Sequence, residues 1–378
     1  MSRIFSLGFL LFFTSVAFAR SPLVVVKAVK EETPTTDQAI LINQALTTVS
    51  ESGGGIVQLR GGTFHISSSI VIPSNVLLRG KGNGTKIRLM DGSTGVTELV
   101  RFGSGDDLVA RAGLEDILIN SNFENQTQAI DGVLVKGEFI TLRRVHVRNS
   151  NGDGLVIGSA STVDTTSTVA VLDSVSQDNQ GDGVTVANAQ RVQLVALVSR
   201  RNTGDGVELS GVADNTIVAN GRINNNGANG IVLGTGVLYA SVTDNKMANN
   251  ALAGLLLTGS DFGRIDNNYF IRNGNNGMLV QGSVNNRFGG NKLFNNSKSQ
   301  RHGYYEVRIE AAGDNQSFAN VFIGNEFFSK RGKGLLLEAD GTDNSQITRN
   351  IYQATHPLFD LVGSNSFTAD NFEGVELN

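Results

Sequence analysis

The 378-residue chain contains no cysteine and no tryptophan, but 45 glycines, and its formal net charge is −4. The absence of cysteine excludes disulfides, thiolate chemistry and cysteine zinc sites. The slightly acidic balance, without a dense block of Lys and Arg, gives no electrostatic reason to expect nucleic acid as a partner.

The first residues have the pattern of a secretion signal. Arg3 precedes an apolar run that continues to Phe18, and a small-residue cleavage pattern ends at Ala19. We expect residues 1–19 to be a signal peptide cleaved near Ala19, and the mature protein to be secreted or periplasmic. A membrane-spanning helix needs about 20 apolar residues, and this run is shorter. No later stretch of the sequence is long and apolar enough to be a membrane span.

One amphipathic helix is predicted next, over about 36–50. Thr36 can cap its start, and apolar residues recur at helical spacing at Ala39, Ile42, Leu46 and Val49. We expect this helix to cover the open end of a β-structure and to hide the unpaired edge of its first strands.

A unit of 23 or 24 residues repeats through the centre of the chain. Each unit has a glycine followed by alternating apolar residues, at Gly183, Gly206, Gly230, Gly254 and Gly277. The unit has no room for a helix. Short strands between Gly and Asn corners predict a parallel β-helix, with Asn side chains bonding to one another along its axis. Because a solenoid grows by adding rungs, residues 20–378 are expected to form a single domain.

The alternation also predicts which side chains form the core. Two inward columns are expected, at Val184, Val207, Ile231, Leu255 and Met278, and at Val186, Leu209, Leu233, Leu257 and Val280. The residues between them should face outward. That outward face is expected to carry an exposed apolar patch, of the kind that marks an interface, at Leu134, Val156, Val232, Leu256 and Leu279, continuing to Leu336.

Acidic residues precede the glycines of several units, at Asp131, Asp153, Asp182 and Asp205, and Glu208 follows on the outward face. Two explanations are open. Asp suits a corner before Gly for structural reasons alone. Alternatively, these carboxylates bind sugar hydroxyls or a cation, although no compact calcium loop is visible.

The repeat is interrupted within the stretch 295–313. The interruption brings groups suited to acid–base chemistry and charge pairing together: His302, Tyr304, Tyr305, Arg308 and Glu310. Insertions into repeats often shape a binding face. A solvated loop with aromatic anchors is the alternative explanation.

Several stretches, taken in order, point to a known family. They are the helix followed by Gly53 to Phe64, then Ile140 to Val145, Asp173 to Asn179, Glu306-Val307 after the irregular loop, and Asp340 to Asp343. From about Asp37 to Asn365 the chain resembles the catalytic module of the secreted bacterial mannuronan C5-epimerases, which modify alginate.

The resemblance implies an all-β fold, a single-stranded right-handed parallel β-helix, and an anionic polyuronate substrate. In that family the C5 proton of the sugar is removed and returned on the other face. A Tyr and a His of a Tyr-Gly-Phe-Asp-Pro-His motif act as acid and base, and an Asp and a Lys handle the carboxylate. Here Asp153, Val156 and Gly158 stand at the Tyr, Asp and His positions, and Ala129 replaces the Lys. The catalytic constellation of the family is therefore not preserved, although Asp131 keeps its place.

Two functional hypotheses follow. In the first, the protein epimerises or cleaves alginate or a similar polyuronate at a displaced site, with catalytic residues His302, Tyr304, Tyr305 and Asp153. The substrate-binding residues would be Asp131, Asp182, Asp205, Glu208, Arg308 and Glu310. No metal ligand is assigned, and Ca²⁺ is the one cofactor left open. In the second, the chain is a catalytically inactive relative that binds exopolysaccharide or forms a homo-oligomer through its apolar outer face.

Overall fold

The structure is a computed structural model that describes residues 22–29, 35–105, 107–159, 166–301, 303–330, 334–338, 342–354, 359–361 and 366–373. The expected signal peptide and His302 lie outside these ranges. Within them, no helix is both long and apolar enough to cross a membrane. Short strands and tight corners alternate along almost the whole described length.

A narrow sheet of 12 parallel strands forms one side of the coil. It receives one strand from each turn of the chain. Its strands are Ile70–Ile72, Glu98–Phe102, Asp131–Val135, Leu155–Gly158, Val184–Ala187, Val207–Ser210, Ile231–Leu233, Leu255–Thr258, Met278–Gln281, Tyr305–Glu310, Gly334–Glu338 and Phe359–Leu361.

A wide sheet of 26 parallel strands forms the rest of the coil. Its earlier strands are Leu23–Val26, Gly55–Leu59, Gly62–Ile66, Val76–Leu89, Val109–Ala110, Gly113–Asn120, Gly137–Arg148, Thr166–Leu172, Val175–Gln177, Ala189–Gln190, Gln193–Val195, Val198–Arg200 and Ile217–Ala219. Its later strands are Arg222–Asn224, Ser241–Thr243, Lys246–Ala248, Arg264–Asp266, Tyr269–Ile271, Arg287–Gly289, Lys292–Phe294, Val321–Ile323, Glu326–Ser329, Gln346–Thr348, Ile351–Ala354, Phe367–Ala369 and Phe372–Glu373. A two-stranded pair, Ser317–Phe318 with Thr342–Asp343, and a 3-10 turn, Phe123–Asn125, complete the elements.

The predicted core columns are confirmed by the register of the narrow sheet. Val184 pairs with Val207, which pairs with Ile231, and the column continues in register to Leu255 and Met278. All of these side chains, and those of the second predicted column, have no exposed surface. Burial of each such aliphatic contributes roughly 1.5–3 kcal/mol, so the stacked columns supply much of the stability of the coil.

The N-terminal helix spans Ala39–Glu51 and buries the predicted apolar stripe. It packs on the first strands of both sheets and so covers the open end of the coil, as predicted. Its start differs from the prediction, because the helix begins after Gln38 rather than after Thr36. Asp37 Oδ1 accepts the backbone N–H of Ala39 at 3.0 Å and that of Ser67 at 3.0 Å, which ties the helix to the first rungs.

Buried asparagines form ladders inside two corners of the coil, one more than the spacing of Asn245, Asn268 and Asn291 predicts. In one ladder, each Asn donates its backbone N–H and its side-chain amide to the Oδ1 of the Asn one rung further on, through Asn179, Asn202, Asn226, Asn250, Asn273 and Asn296. A second ladder runs through Asn245, Asn268, Asn291, Asn325, Asn350 and Asn371. These bonds satisfy corner backbone groups that would otherwise be buried without partners.

The expected outward face needs two corrections. Leu336 is in register with Val307 and is fully buried, so it belongs to the core column rather than to the outer face. Val232 lies on the outer face but has only 7% of its surface exposed. None of Leu134, Val156, Leu256 and Leu279 is strongly exposed either. Side chains on successive rungs, about 4.8 Å apart, cover one another, so the predicted exposed apolar patch is absent from this part of the structure.

Candidate functional site

Four aspartates form a ladder at the corner that leads into the narrow sheet. Asp131 Oδ1 accepts the backbone N–H of Asp153 at 2.8 Å, and Asp153 Oδ1 accepts that of Asp182 at 2.7 Å. Asp182 Oδ1 accepts the backbone N–H of Asp205 at 2.6 Å, and Asp205 Oδ1 accepts that of Asn229 at 2.5 Å. Each aspartate therefore holds the next rung in register, which agrees with the structural explanation, and the binding explanation stays a prediction.

The ladder places like charges unusually close together. Burial raises the pKa of Asp131 to about 6, and the neighbouring Asp153 and Glu98 add to this rise. Burial also raises the pKa of Asp182 and of Asp205 above the ordinary range. Asn229 performs the same backbone role one rung later without a charge. The carboxylates are thus not required for the ladder itself, and groups with perturbed pKa values gather at functional sites.

Glu208 joins the ladder on the outward face of the adjoining strand. Burial raises the pKa of its carboxyl to about 7, and a hydrogen bond with Asp182 raises it further. We call Asp131, Asp153, Asp182, Asp205 and Glu208 the acidic cluster. A carboxyl group whose pKa is raised toward neutrality is suited to general acid–base chemistry.

Thr185 connects the members of the acidic cluster. Its hydroxyl donates to Asp153 Oδ2 at 2.6 Å, and its side chain is also hydrogen-bonded to Asp182. It lies in register with Glu208 on the next strand. Sequence reasoning did not assign Thr185 to the site, although its outward position three residues after Asp182 was a usable signal.

The cluster has a cationic neighbour at its N-terminal end that sequence reasoning also missed. Glu98 is in register with Asp131, and its buried carboxylate accepts Arg101 Nη1 at 2.8 Å. Arg101 further donates to the backbone oxygens of Gly103 and Gly105, each at 2.9 Å. The signal was positional, since these residues lie one rung before Asp131.

The position that the resemblance assigns to the catalytic His cannot hold a side chain with this backbone. Gly158 has φ +85°, and a Cβ there would lie 2.1 Å from the carbonyl oxygen of Ala187. Both the sequence and the backbone conformation of this strand end therefore differ from what the family motif requires.

The inserted segment lies apart from the acidic cluster, contrary to the expected grouping. From Glu208 the outward column passes through Val232, Leu256 and Leu279 before it reaches Arg308. Four rungs at about 4.8 Å each separate the two groups by roughly 19 Å. Asp153 and the insertion therefore cannot act on the same sugar unit.

The residues of the insertion have mainly internal partners. Tyr305 is only 9% exposed, and its backbone oxygen accepts the side-chain amide of Asn276 at 2.9 Å. Little of Tyr305 therefore faces solvent, and its expected catalytic use stays a prediction. Tyr304 is half-buried, and its backbone N–H donates to Ser297 Oγ at 3.1 Å. The expected role of His302 lies outside the described residues.

Arg308 and Glu310 neutralise each other. Arg308 Nη2 lies 2.6 Å from Glu310 Oε2, while Gln281 donates to Glu310 Oε1 at 2.6 Å. They remain partly exposed on the outer face, so contact with a passing polymer stays a prediction.

The residues described here do not fit a metal ion. In the ranges that the structure describes, no group of three or more His, Asp or Glu side chains is arranged to hold one. One oxygen of each ladder aspartate already accepts a backbone N–H. The acidic cluster therefore gives no support for calcium binding.

Comparisons with known proteins agree with this architecture. A family model described as a right-handed β-helix region matches residues 131–304. Mannuronan C5-epimerase AlgE3 of Azotobacter vinelandii is 30% identical over 164 residues, which are 39% of this chain and 9% of that protein. Alginate lyase 7 of the same organism is 28% identical over 165 residues, covering 39% of this chain and 19% of that protein. The chain thus matches only a small part of these relatives.

The solved A-module of Azotobacter vinelandii mannuronan C-5 epimerase AlgE6 superposes with a TM-score of 0.85 at 22% identity, over 91% of this chain and 97% of that module. The chain therefore has an epimerase-like right-handed β-helix fold, as the sequence predicts.

Proposed function

We propose that this β-helix acts on alginate or a similar polyuronate, by C5 epimerisation or β-elimination, at the acidic cluster on the narrow sheet. The observation that carries the proposal is the hydrogen-bonded Glu208–Asp182 pair, in which burial raises the pKa of the Glu208 carboxyl to about 7. The pair lies on the same sheet as the strand that matches the family's catalytic motif. The names of the relatives, which are mannuronan C5-epimerases and an alginate lyase, supply the substrate class.

Both reactions begin with the loss of the proton beside the sugar carboxylate. That step requires a base near the C5 proton and a group that neutralises the carboxylate. A protonated Glu208 can donate a hydrogen bond to the carboxylate. Asp153 is the candidate base, because it occupies the position of the family's Tyr and its Oδ2 is held by Thr185.

The raised pKa values also reduce the repulsion between the acidic cluster and an anionic polymer, because they keep some carboxyls neutral. If every carboxyl of the cluster were ionised, a uronate chain would be repelled. Burial favours the neutral forms of Asp131 and Glu208 up to about pH 6 and pH 7, respectively. We therefore expect binding and turnover to be strongest in mildly acidic solution.

The test incubates the mature protein with polymannuronate and with polyguluronate. NMR reports the C5 configuration, and ultraviolet absorbance reports unsaturated chain ends. Glu208→Gln is expected to reduce either reaction by roughly 10²–10⁴-fold, the usual range for one proton-transfer group. Glu138→Gln, an exposed site on the wide sheet, is the matched control. No reaction with either polymer would reject the enzyme for these substrates.

A second candidate function is polysaccharide binding without turnover. It is favoured by the absence of the family's Tyr, His and Lys and by the backbone role of the ladder aspartates. It predicts that both polymers bind and remain unchanged. Self-assembly through the outer face was suggested by an exposed apolar patch. The apolar residues of that face are largely covered, so the structure does not favour it.

A further inference from the structure

A basic surface lies on the wide sheet, away from the acidic cluster. Its outward residues come from four successive rungs of the coil. Arg222 is in register with Lys246, Lys246 with Tyr269, and Tyr269 with Lys292. In a parallel column of the same sheet, Arg264 is in register with Arg287. We call Arg222, Lys246, Arg264, Tyr269, Arg287 and Lys292 the basic platform.

The cations of the platform exceed the acids around them. Some exposed arginines elsewhere on the coil have an acid of their own, as in the Arg144–Asp116 pair at 2.6 Å and the Arg201–Asp178 pair at 2.7 Å. Within the part of the chain that the structure describes, neither Arg222 nor Lys246 forms an ion pair, and both are exposed. The acids nearby are Asp266, Glu326, which pairs with Lys292 at 3.0 Å, and Asp244 at an exposed corner.

Asp266 fixes the two arginines of the platform in place. Its side chain is 6% exposed, and each of its oxygens accepts a guanidinium N–H, one from Arg264 and the other from Arg287. The arginine side chains remain 69% and 50% exposed. One buried carboxylate thus orients two exposed forks, and the N–H groups that face solvent are preorganised for carboxylates of a ligand.

An exposed aromatic ring lies among these cations. Tyr269 is 43% exposed, and Lys292 Nζ lies 5.9 Å from the centre of its ring. An exposed aromatic ring has an apolar face that can pack against the apolar face of a sugar ring. The cations on neighbouring rungs recur every roughly 4.8 Å, which is comparable to the length of one sugar unit in a chain.

From this arrangement we infer that the basic platform binds an anionic polysaccharide, with uronate carboxylates on Arg222, Lys246 and the arginine forks and one sugar ring on Tyr269. The choice of a uronate polymer rests on the proposed function, whereas the anionic charge and the sugar ring follow from the platform itself. A chain bound there would be anchored on the side of the coil away from the acidic cluster, so one polymer could be held while another stretch is processed.

The test measures binding of a defined oligomannuronate by isothermal titration calorimetry. The double variant R222Q/K246Q is expected to weaken binding at the platform at least tenfold, and Tyr269→Ala several-fold. The matched control is K81Q/K86Q, which removes the same charge from exposed positions at the N-terminal end of the same sheet. The K81Q/K86Q control should bind with the affinity of the unsubstituted protein. Added salt should weaken binding in both the control and the unsubstituted protein.

The outcomes separate this proposal from the proposed function. If both are right, the unsubstituted protein binds oligomers at two places and R222Q/K246Q loses one of them. If only the platform is right, the unsubstituted protein causes no chemical change and binding disappears in R222Q/K246Q. Unchanged binding in R222Q/K246Q and in Tyr269→Ala would overturn the platform. Equal affinity for a single-stranded DNA of the same charge would overturn the assignment to a polysaccharide.

Discussion

The backbone N–H of Asn296 donates to Glu306 Oε1 at 3.1 Å, and the side-chain amide of Asn296 donates to the other carboxyl oxygen of Glu306. Asn296 is the last asparagine of an internal ladder, so a carboxyl group takes the place that the next Asn would occupy. Glu306 is fully buried, and burial raises its pKa to about 7. The end of the ladder is therefore a titrating group inside the core.

We predict that Glu306 makes the protein less stable as the pH rises from about 4.5 to above 7. The folded pKa is raised from 4.5 to about 7, so its contribution is fully present below pH 4.5 and is lost as the pH rises through 7. The loss is on the order of 3 kcal/mol, by the relation of about 1.36 kcal/mol per pKa unit. Urea unfolding of the unsubstituted protein and of Glu306→Gln across this range measures it.

Glu306→Gln should remove this pH-dependent component, because glutamine cannot ionise. It keeps one of the two oxygens that accept from Asn296, so any loss from the missing oxygen is the same at every pH. The raised pKa values of the acidic cluster contribute with the same sign, but they are common to both proteins and cancel in the difference. Glu138→Gln, at an exposed position, should leave the pH dependence as it is. Parallel stability curves for the unsubstituted protein and Glu306→Gln would contradict the prediction.

The aspartate ladder should tolerate amides better than alanine. In Asp205→Asn an oxygen still accepts the backbone N–H of Asn229, as Asn229 itself does for Ala253 at 3.0 Å. We expect a change in the free energy of unfolding within about 0.5 kcal/mol for this variant. Asp205→Ala leaves a backbone donor without its partner and should cost about 1–3 kcal/mol. Equal losses in the two variants, measured by urea unfolding at pH 7, would contradict a ladder held by its acceptor oxygens.

Aromatic stacking between rungs should be a major local source of stability. The rings of Phe288 and Phe322 are 4.3 Å apart between centroids and nearly parallel, and both are almost fully buried. Phe288→Ala should lower the free energy of unfolding by about 3–5 kcal/mol, because it leaves a cavity between rungs. Phe262→Ala, at an exposed corner, is the control and should cost much less. Similar losses in both variants would argue against this packing.

The parts of the fold that depend on local backbone geometry could be predicted from the sequence. Alternation in strands assigned the core columns that include Val207 and Leu257, and regular spacing assigned one Asn ladder, at Asn245, Asn268 and Asn291. The prediction failed where the spacing changes. Met278 pairs with Val307 across the insertion, and counting through that region placed Leu336 on the wrong face.

The candidate site was predictable only in part. The ladder positions of Asp131, Asp153, Asp182 and Asp205 could be read from the repeat, but the raised pKa of Glu208 could not. That raised pKa depends on burial and on a contact with Asp182 one rung away, and neither is encoded in the local pattern. The separation of the insertion from the cluster likewise depends on how many rungs lie between them.

The ionisation of Glu208 in the acidic cluster should control the pH dependence of turnover. In the unsubstituted protein, turnover of the polyuronate should fall as the pH rises through about 7, because Glu208 then loses its proton. Burial is the largest cause of the raised pKa of Glu208, and the hydrogen bond and charge of Asp182 add to it. Asp182→Asn removes the added part, so the pKa of Glu208 should fall and the descending limb of the rate profile should move to lower pH.

Two measurements check this shift. Initial rates against pH follow the limb, and the carboxyl carbon resonance of Glu208 followed by NMR reports its pKa without relying on turnover. Asp173→Asn makes the same substitution at an exposed corner outside the cluster, and it should leave both curves in place. If Asp182→Asn moves neither the resonance nor the limb, then Glu208 and Asp182 do not share a proton. If it moves the resonance alone, then Glu208 titrates as described but is not the group that controls the reaction.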